Sequence, residues 1–430
     1  MFKAYALLFF VVSFQGTAYV PNTIIGTITN LPANTRPSSL TISPEGTTMY
    51  VPSYSNSTVG IVDMATNVVT GLVSNPNHAI QSPWFIAINP SGTTGYICNV
   101  GHNNIGIFDT ATQATLGQIF HPALQNPWSM VITPNGQQAL VTSQSFPYVT
   151  VINLQTNIVL TAIRLGGTGP FTIAMTADGT KAYVAHFADD SLSIIDVTSK
   201  TNTGTITGTF SGPIALAFTP QNTKAYVCNS DNNTVSIIDV RANKVIGLVN
   251  DPQATFSAPS SVAITPDGKT AYIVNNTGNS ISIVEVATDT VTGTVTDTTP
   301  PTITRPRYIA ITPNGELGYI MNGTNVISIL FIAMSPAPIN AQGVAAKNVF
   351  LTQTERFNRI TWEAPPTSGT TQYKIYRNAQ LTQLAATVSA NRLQYIDHNR
   401  QPKTTYNYYI VAVDSVGNAS LPAHVSVVSC

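Results

Sequence analysis

The chain has 430 residues, 19 basic and 19 acidic side chains, a formal net charge of zero and only 9% charged residues. An ordinary soluble domain carries about 25%. Thr, Ser and Asn therefore supply most of the polar surface, and no global field exists to hold nucleic acid or an anionic membrane.

Residues 1–18 (MFKAYALLFFVVSFQGTA) place one early cation, Lys3, before an apolar core, with Gly16 and Ala18 at the −3 and −1 positions of a cleavage site. This layout predicts a secretory signal peptide and a mature chain beginning at Tyr19. No segment reaches the ~20 apolar residues of a membrane helix. The expected location is secreted, whether extracellular, at the cell surface or periplasmic.

Seven prolines, Pro37, Pro83, Pro127, Pro170, Pro213, Pro259 and Pro306, open equivalent units at spacings of 43 to 47 residues. The unit at 259–295 is the clearest: an apolar run, a TPDG turn, an AYIV run, then two β-branched runs separated by ATD. Proline in the second turn position followed by Gly or Asn suits a tight reversal. Four short strands repeated at this period predict a β-propeller. The seventh unit lacks its fourth strand, and the run NTIIGTIT at 22–29 matches that missing pattern. The expectation is an all-β fold: a seven-bladed propeller over 19–333, closed by an N-terminal strand that protects the final edge.

Residues 334–340 (MSPAPIN) are expected to be a linker, and 341–430 are richer in aromatic and charged residues. Cys98 and Cys228 fall at one repeat position in different blades and are expected to be buried thiols. Cys430 ends the sequence. An unpaired tail thiol is the blander reading, and a cross-link to another chain the alternative.

The TPDG, AYIVNN and SIVEVAT segments resemble the YVTN family of β-propeller repeats, over about residues 22–333. That resemblance implies a secreted or surface propeller, related in fold to lactonases and amine-dehydrogenase-type propellers. The segments RITW (359–362), YKIYR (373–377) and PKTTY (402–406) resemble a fibronectin type III sandwich, with Trp362 as core tryptophan and Tyr406 at the tyrosine corner. Such modules act as spacers or adhesive units.

Local enzyme motifs are missing: no metal-ligand spacing among the histidines, no nucleophile elbow and no phosphate loop. The sequence implies no cofactor and no metal. The acids closing the third strands, Asp63, Asp109, Asp196, Asp239 and Glu285, repeat with the fold and are expected to cap turns. What differs between blades is more informative. The residues after the opening prolines are Ser38, Trp84, Trp128, Phe171, Ile214, Ser260 and Arg307, which predicts an aromatic sector at the channel mouth. A basic sector is formed by Arg36, Arg305 and Arg307, and the same face is expected to carry His102, His186, Asp189, Asp190 and Asp231. One reading is a binding site in which rings stack on a sugar or peptide and arginines grip carboxylates. The other is that the tryptophans wedge blades together.

The function expected is a non-enzymatic binding protein that takes a glycan, peptide or protein at this face, with no nucleic-acid partner. The alternative is a lactonase-like or lyase-type propeller acting on a small ester or polysaccharide. It needs a carboxylate or histidine cluster, for which His186, Asp189, Asp190 and Asp231 are the candidates.

Overall fold

In the computed structural model the described residues are 21–31, 37–296, 303–332, 339–349, 354–363, 370–377, 383–398, 401, 403–414, 420 and 423–428. The segment 1–18, expected to be an export signal, Arg36 and Cys430 lie outside them. Seven four-stranded antiparallel sheets follow one another around a channel, making a seven-bladed β-propeller followed by a C-terminal β domain. In blade 6 the strands run Pro259–Ile264, Thr270–Asn275, Ser280–Glu285 and Thr290–Val295 from the channel outwards. The opening proline sits on the innermost strand, where one edge faces the channel and needs no ladder N–H.

The first turn is built by its side chains. In TPDG, Asp267 Oδ1 accepts the Thr265 hydroxyl at 2.6 Å and the Lys269 N–H at 3.0 Å, and Gly268 takes φ of 72°. After the third strands of blades 1, 2, 4 and 5 the expected acid caps the turn through a backbone N–H, whereas Glu285 in blade 6 accepts the Thr288 hydroxyl. Asp63 accepts the Thr66 N–H at 2.8 Å, Asp109 that of Thr112 at 2.6 Å, and Asp196 that of Ser199 at 2.7 Å.

Ring closure follows the sequence expectation. Thr23–Ile28 pairs with Ile327–Phe331 as the outermost strand of blade 7. The residue before each outermost strand is left-handed: Asn67, Gln113, Asn157, Lys200, Asn243, Asp289 and, in blade 7, Asn22. Several of these receive the buried tyrosine of the preceding blade. Tyr183 donates to Asn243 at 2.7 Å, Tyr272 to Asn22 at 2.6 Å, Tyr319 to Asn67 at 2.7 Å, and Tyr226 to Asp289. The bonds from Tyr272 and Tyr319 span the closure of the ring. Between blades the core is a series of small apolar clusters, each shared by two neighbouring sheets. Cys98 and Cys228 are buried free thiols within it, and burial pushes both thiol pKa values up.

The C-terminal β domain has two sheets. One contains Ile339–Val349, Thr354–Glu363 and Gln394–His398, and the other Leu384–Ser389, Thr370–Tyr376, Thr405–Asp414 and Ala423–Val428. Trp362 is buried and meets Tyr373 edge-on at 5.2 Å, and the Gln401 N–H donates to the Tyr406 hydroxyl at 2.9 Å.

Candidate functional site at the channel mouth

A concave mouth of about 330 Å³ opens at one end of the channel. Ser38, Trp84, Trp128, Phe171, Ile214, Ser260 and Arg307, the residues after the opening prolines, all line it. A second tier beneath them consists of the residues that follow: Ser39, Phe85, Ser129, Thr172, Ala215, Ser261 and Tyr308. Five of the inner strands start at their proline, and Pro37 and Pro306 stand a few residues before theirs, so one repeat position places seven equivalent side chains around the opening.

The aromatic sector is continuous. Trp84 and Trp128 are 4.1 Å apart between centroids and Trp128 and Phe171 are 4.9 Å apart, with tilted planes. The arc extends at both ends into rings that the sequence reading passed over, Tyr54 at 6.1 Å from Trp84 and Phe187 at 6.2 Å from Phe171. Both are 40% exposed. Their signal in the sequence was shared position: each is the first residue after its blade's second strand, as are Ser230 and Asn276, which also line the mouth. In a ring of seven, blade 7 lies across from blades 3 and 4. Arg307 therefore faces Trp128 and Phe171 across the opening. Among the described residues its guanidinium has no ion-pair partner. Arg305 is exposed beside the mouth, its N–H bonded to Asn279 Oδ1 at 2.7 Å.

The acidic and histidine candidates are placed otherwise. His102 is exposed on a turn, and Asp189, Asp190 and Asp231 are not among the mouth-lining side chains. Asp190 accepts the Gly212 N–H at 2.7 Å, a clasp to the next blade that Asn103, Asn233 and Asn279 make at the same repeat position. Asp189 accepts the Thr168 N–H and hydroxyl, and these bonds, the N–H above all, hold its carboxyl below the usual carboxylate range.

His186 is 0% exposed and ends the second strand of blade 4. Its Nε2 lies 2.8 Å from Ser193 Oγ and its Nδ1 3.3 Å from the Thr168 carbonyl. Burial lowers its pKa, which favours neutral imidazole. The carbonyl fixes the proton on Nδ1, so the Ser193 hydroxyl donates to Nε2. This resembles a nucleophile and base, yet Ser193 is also 0% exposed. Asn229 with Ser236, Asn275 with Ser282 and Asn322 with Ser328 make the same 2.8 Å contact in the next three blades. His186 occupies a structural position of the repeat.

The only titratable side chains lining the mouth among the described residues are Arg307 and Tyr308. Burial pushes the Tyr308 phenol up to about 12, so it stays protonated. No group of three His, Cys, Asp or Glu side chains among the described residues is arranged to hold a metal ion.

The family model described as "Lactonase, 7-bladed beta-propeller" matches residues 170–329, which span blades 4 to 6 and the three inner strands of blade 7. No curated protein matches the chain. Among solved structures, Kuenenia stuttgartiensis hydrazine synthase is similar at 20% identity and a TM-score of 0.62. The likeness covers 71% of this chain and 98% of that one. It is a likeness of fold.

Proposed function

We propose that this chain is a secreted or cell-surface binding protein that presents its propeller mouth to a glycan, peptide or protein. The observation that carries this reading is the convergence of the seven post-proline residues on one opening, where a half-buried aromatic arc faces an arginine. Exposed aromatic walls with a few convergent polar groups are the usual make-up of a ligand site. The repeats are read as YVTN-type, residues 1–18 as an export signal, and the C-terminal domain as a fibronectin type III-like spacer. Support for the last is the Trp362–Tyr373 core and the Tyr406 hydroxyl reaching back to Gln401.

The second reading, a lactonase-like enzyme, draws on the family match over residues 170–329. It needs a general acid or base at the reacting atom, whereas Asp189, Asp190 and His186 are engaged in bonds that hold the repeat together, and neither these nor Asp231 line the mouth. A glycan and peptide screen with and without EDTA, repeated on Trp84→Ala/Trp128→Ala, separates the two. Saturable binding that survives EDTA and falls at least about tenfold in the double variant is expected. A folded double variant with full binding overturns the mouth as the site, and turnover of a bound ester or glycan moves the enzyme reading forward.

A further inference from the structure

Four of the polar side chains around the mouth, Ser38, Ser230, Ser260 and Asn276, have already committed their protons. Ser38 Oγ donates to the Pro83 carbonyl at 3.3 Å, Ser230 Oγ to Gly212 at 3.2 Å and Ser260 Oγ to Arg307 at 3.2 Å. Asn276 Nδ2 donates to the Pro306 carbonyl at 2.9 Å. What these groups offer a ligand is oxygen lone pairs. A ligand that satisfies them brings hydrogen-bond donors of its own. The facing wall is aromatic, so the ligand also brings an apolar ring face. Among the described residues the charge at the mouth is the Arg307 guanidinium, with no carboxylate lining the opening, so an anionic group is favoured and a cation is not.

Hydroxyl donors around the rim, C–H faces and one carboxylate are together the chemistry of an acidic sugar. We propose that the mouth binds a uronate residue of a saccharide, stacked on Trp84, Trp128 and Phe171 with its carboxylate on Arg307. This rests on the mouth being the binding site. The geometry agrees: Arg307 faces the arc, so one ring laid on Trp128 directs a substituent towards the guanidinium across an opening of about 330 Å³.

The full chain reports on this by its own fluorescence. Of its three tryptophans two are in the arc, and Trp362 is a buried constant background. Emission is titrated with a panel of uronate disaccharides and their matched neutral hexose disaccharides. Uronates are expected to bind about tenfold more tightly, the size of one charge-assisted hydrogen bond. Arg307→Gln is expected to erase that preference, with the larger loss of affinity falling on the uronates, and Trp84→Ala/Trp128→Ala, which removes both reporting rings and is therefore followed by titration calorimetry, to weaken both. Equal binding of the two classes, a preference that survives Arg307→Gln, or no response to any member of the panel overturns the acidic-sugar assignment. The mouth reading fails separately, if saccharide binding persists unchanged in Trp84→Ala/Trp128→Ala. It survives if that variant loses a peptide or protein ligand found by the wider screen.

Discussion

Asp289 allows the energy of one blade-to-blade clasp to be measured with an internal reference. It accepts the hydroxyl of Tyr226, which is 0% exposed, and pairs with Lys224 at 2.6 Å. One blade earlier, Asn243 receives Tyr183 at 2.7 Å and Lys181 at 2.9 Å, so a neutral acceptor performs the same task. Asp289→Ala leaves a buried phenol without its acceptor, which costs about 1–3 kcal/mol. The lost pair is partly exposed and adds about 0.2–1 kcal/mol, because Lys224 keeps the Val286 carbonyl at 3.0 Å. Alanine is also disfavoured at φ of 52°. That adds about 1 kcal/mol, for a total near 3 kcal/mol. Asp289→Asn keeps the acceptor and tolerates the backbone, so it is expected to cost about 0.5 kcal/mol. Asp289→Gly relieves the strain but not the orphaned phenol and falls between them. Urea midpoints at constant slope give the order wild type, Asn, Gly, Ala. If Asn falls as far as Ala, the charge and not the acceptor holds the clasp. If Ala does not shift, the clasp carries no energy.

Gly106→Ala is expected to cost about 3 kcal/mol or to abolish folding, because the new Cβ would lie 2.2 Å from the Ala79 carbonyl oxygen. Gly71→Ala, with nothing within 4 Å, is the neutral control in the same thermal scan. His186→Asn tests the buried imidazole by pH. The folded pKa lies below the ordinary 6.5, so the unfolded chain takes up the proton first and His186-linked stability is lost as pH falls from 6.5 towards the folded value. The wild-type-minus-variant difference in urea midpoint is expected to be largest above pH 6.5 and to shrink in acid; a difference independent of pH refutes the assignment.

The opening prolines were enough to place seven side chains at the mouth, because a repeat period together with a fixed first residue sets both blade and height. Closure by residues 22–29 was equally legible, since the missing fourth run of the last unit had one match elsewhere. The outermost strand of blade 4 was less so. Its TGTITGTF run at 203–210 points to a strand there, but the strand is Thr201–Thr207 and Phe210 turns into the core. Left-handed Lys200 starts the strand early, and a bulge between Ile194 and Ile195 offsets its pairing. His186 and Asp190 stood out in the sequence by residue type. Aligned by position, they share sites with asparagines making the same bonds. Donor commitment at the mouth was not legible at all, because Ser38 and Ser260 donate to carbonyls 45 or more residues away.

Borrowing the last outer strand from the start of the chain imposes an order of events during synthesis. Thr23 pairs with Phe331, so the first strand made is the last to find its place. At about 5–20 residues per second on the ribosome, it waits on the order of 15–60 s while the inner blades assemble. Until then Thr23–Ile28 and the outer edge of Ile327–Phe331 are both unpaired, and two nascent copies have an intermolecular partner available to each. Chain concentration during synthesis, more than the strength of any finished blade, then decides whether rings close singly or exchange their first strands.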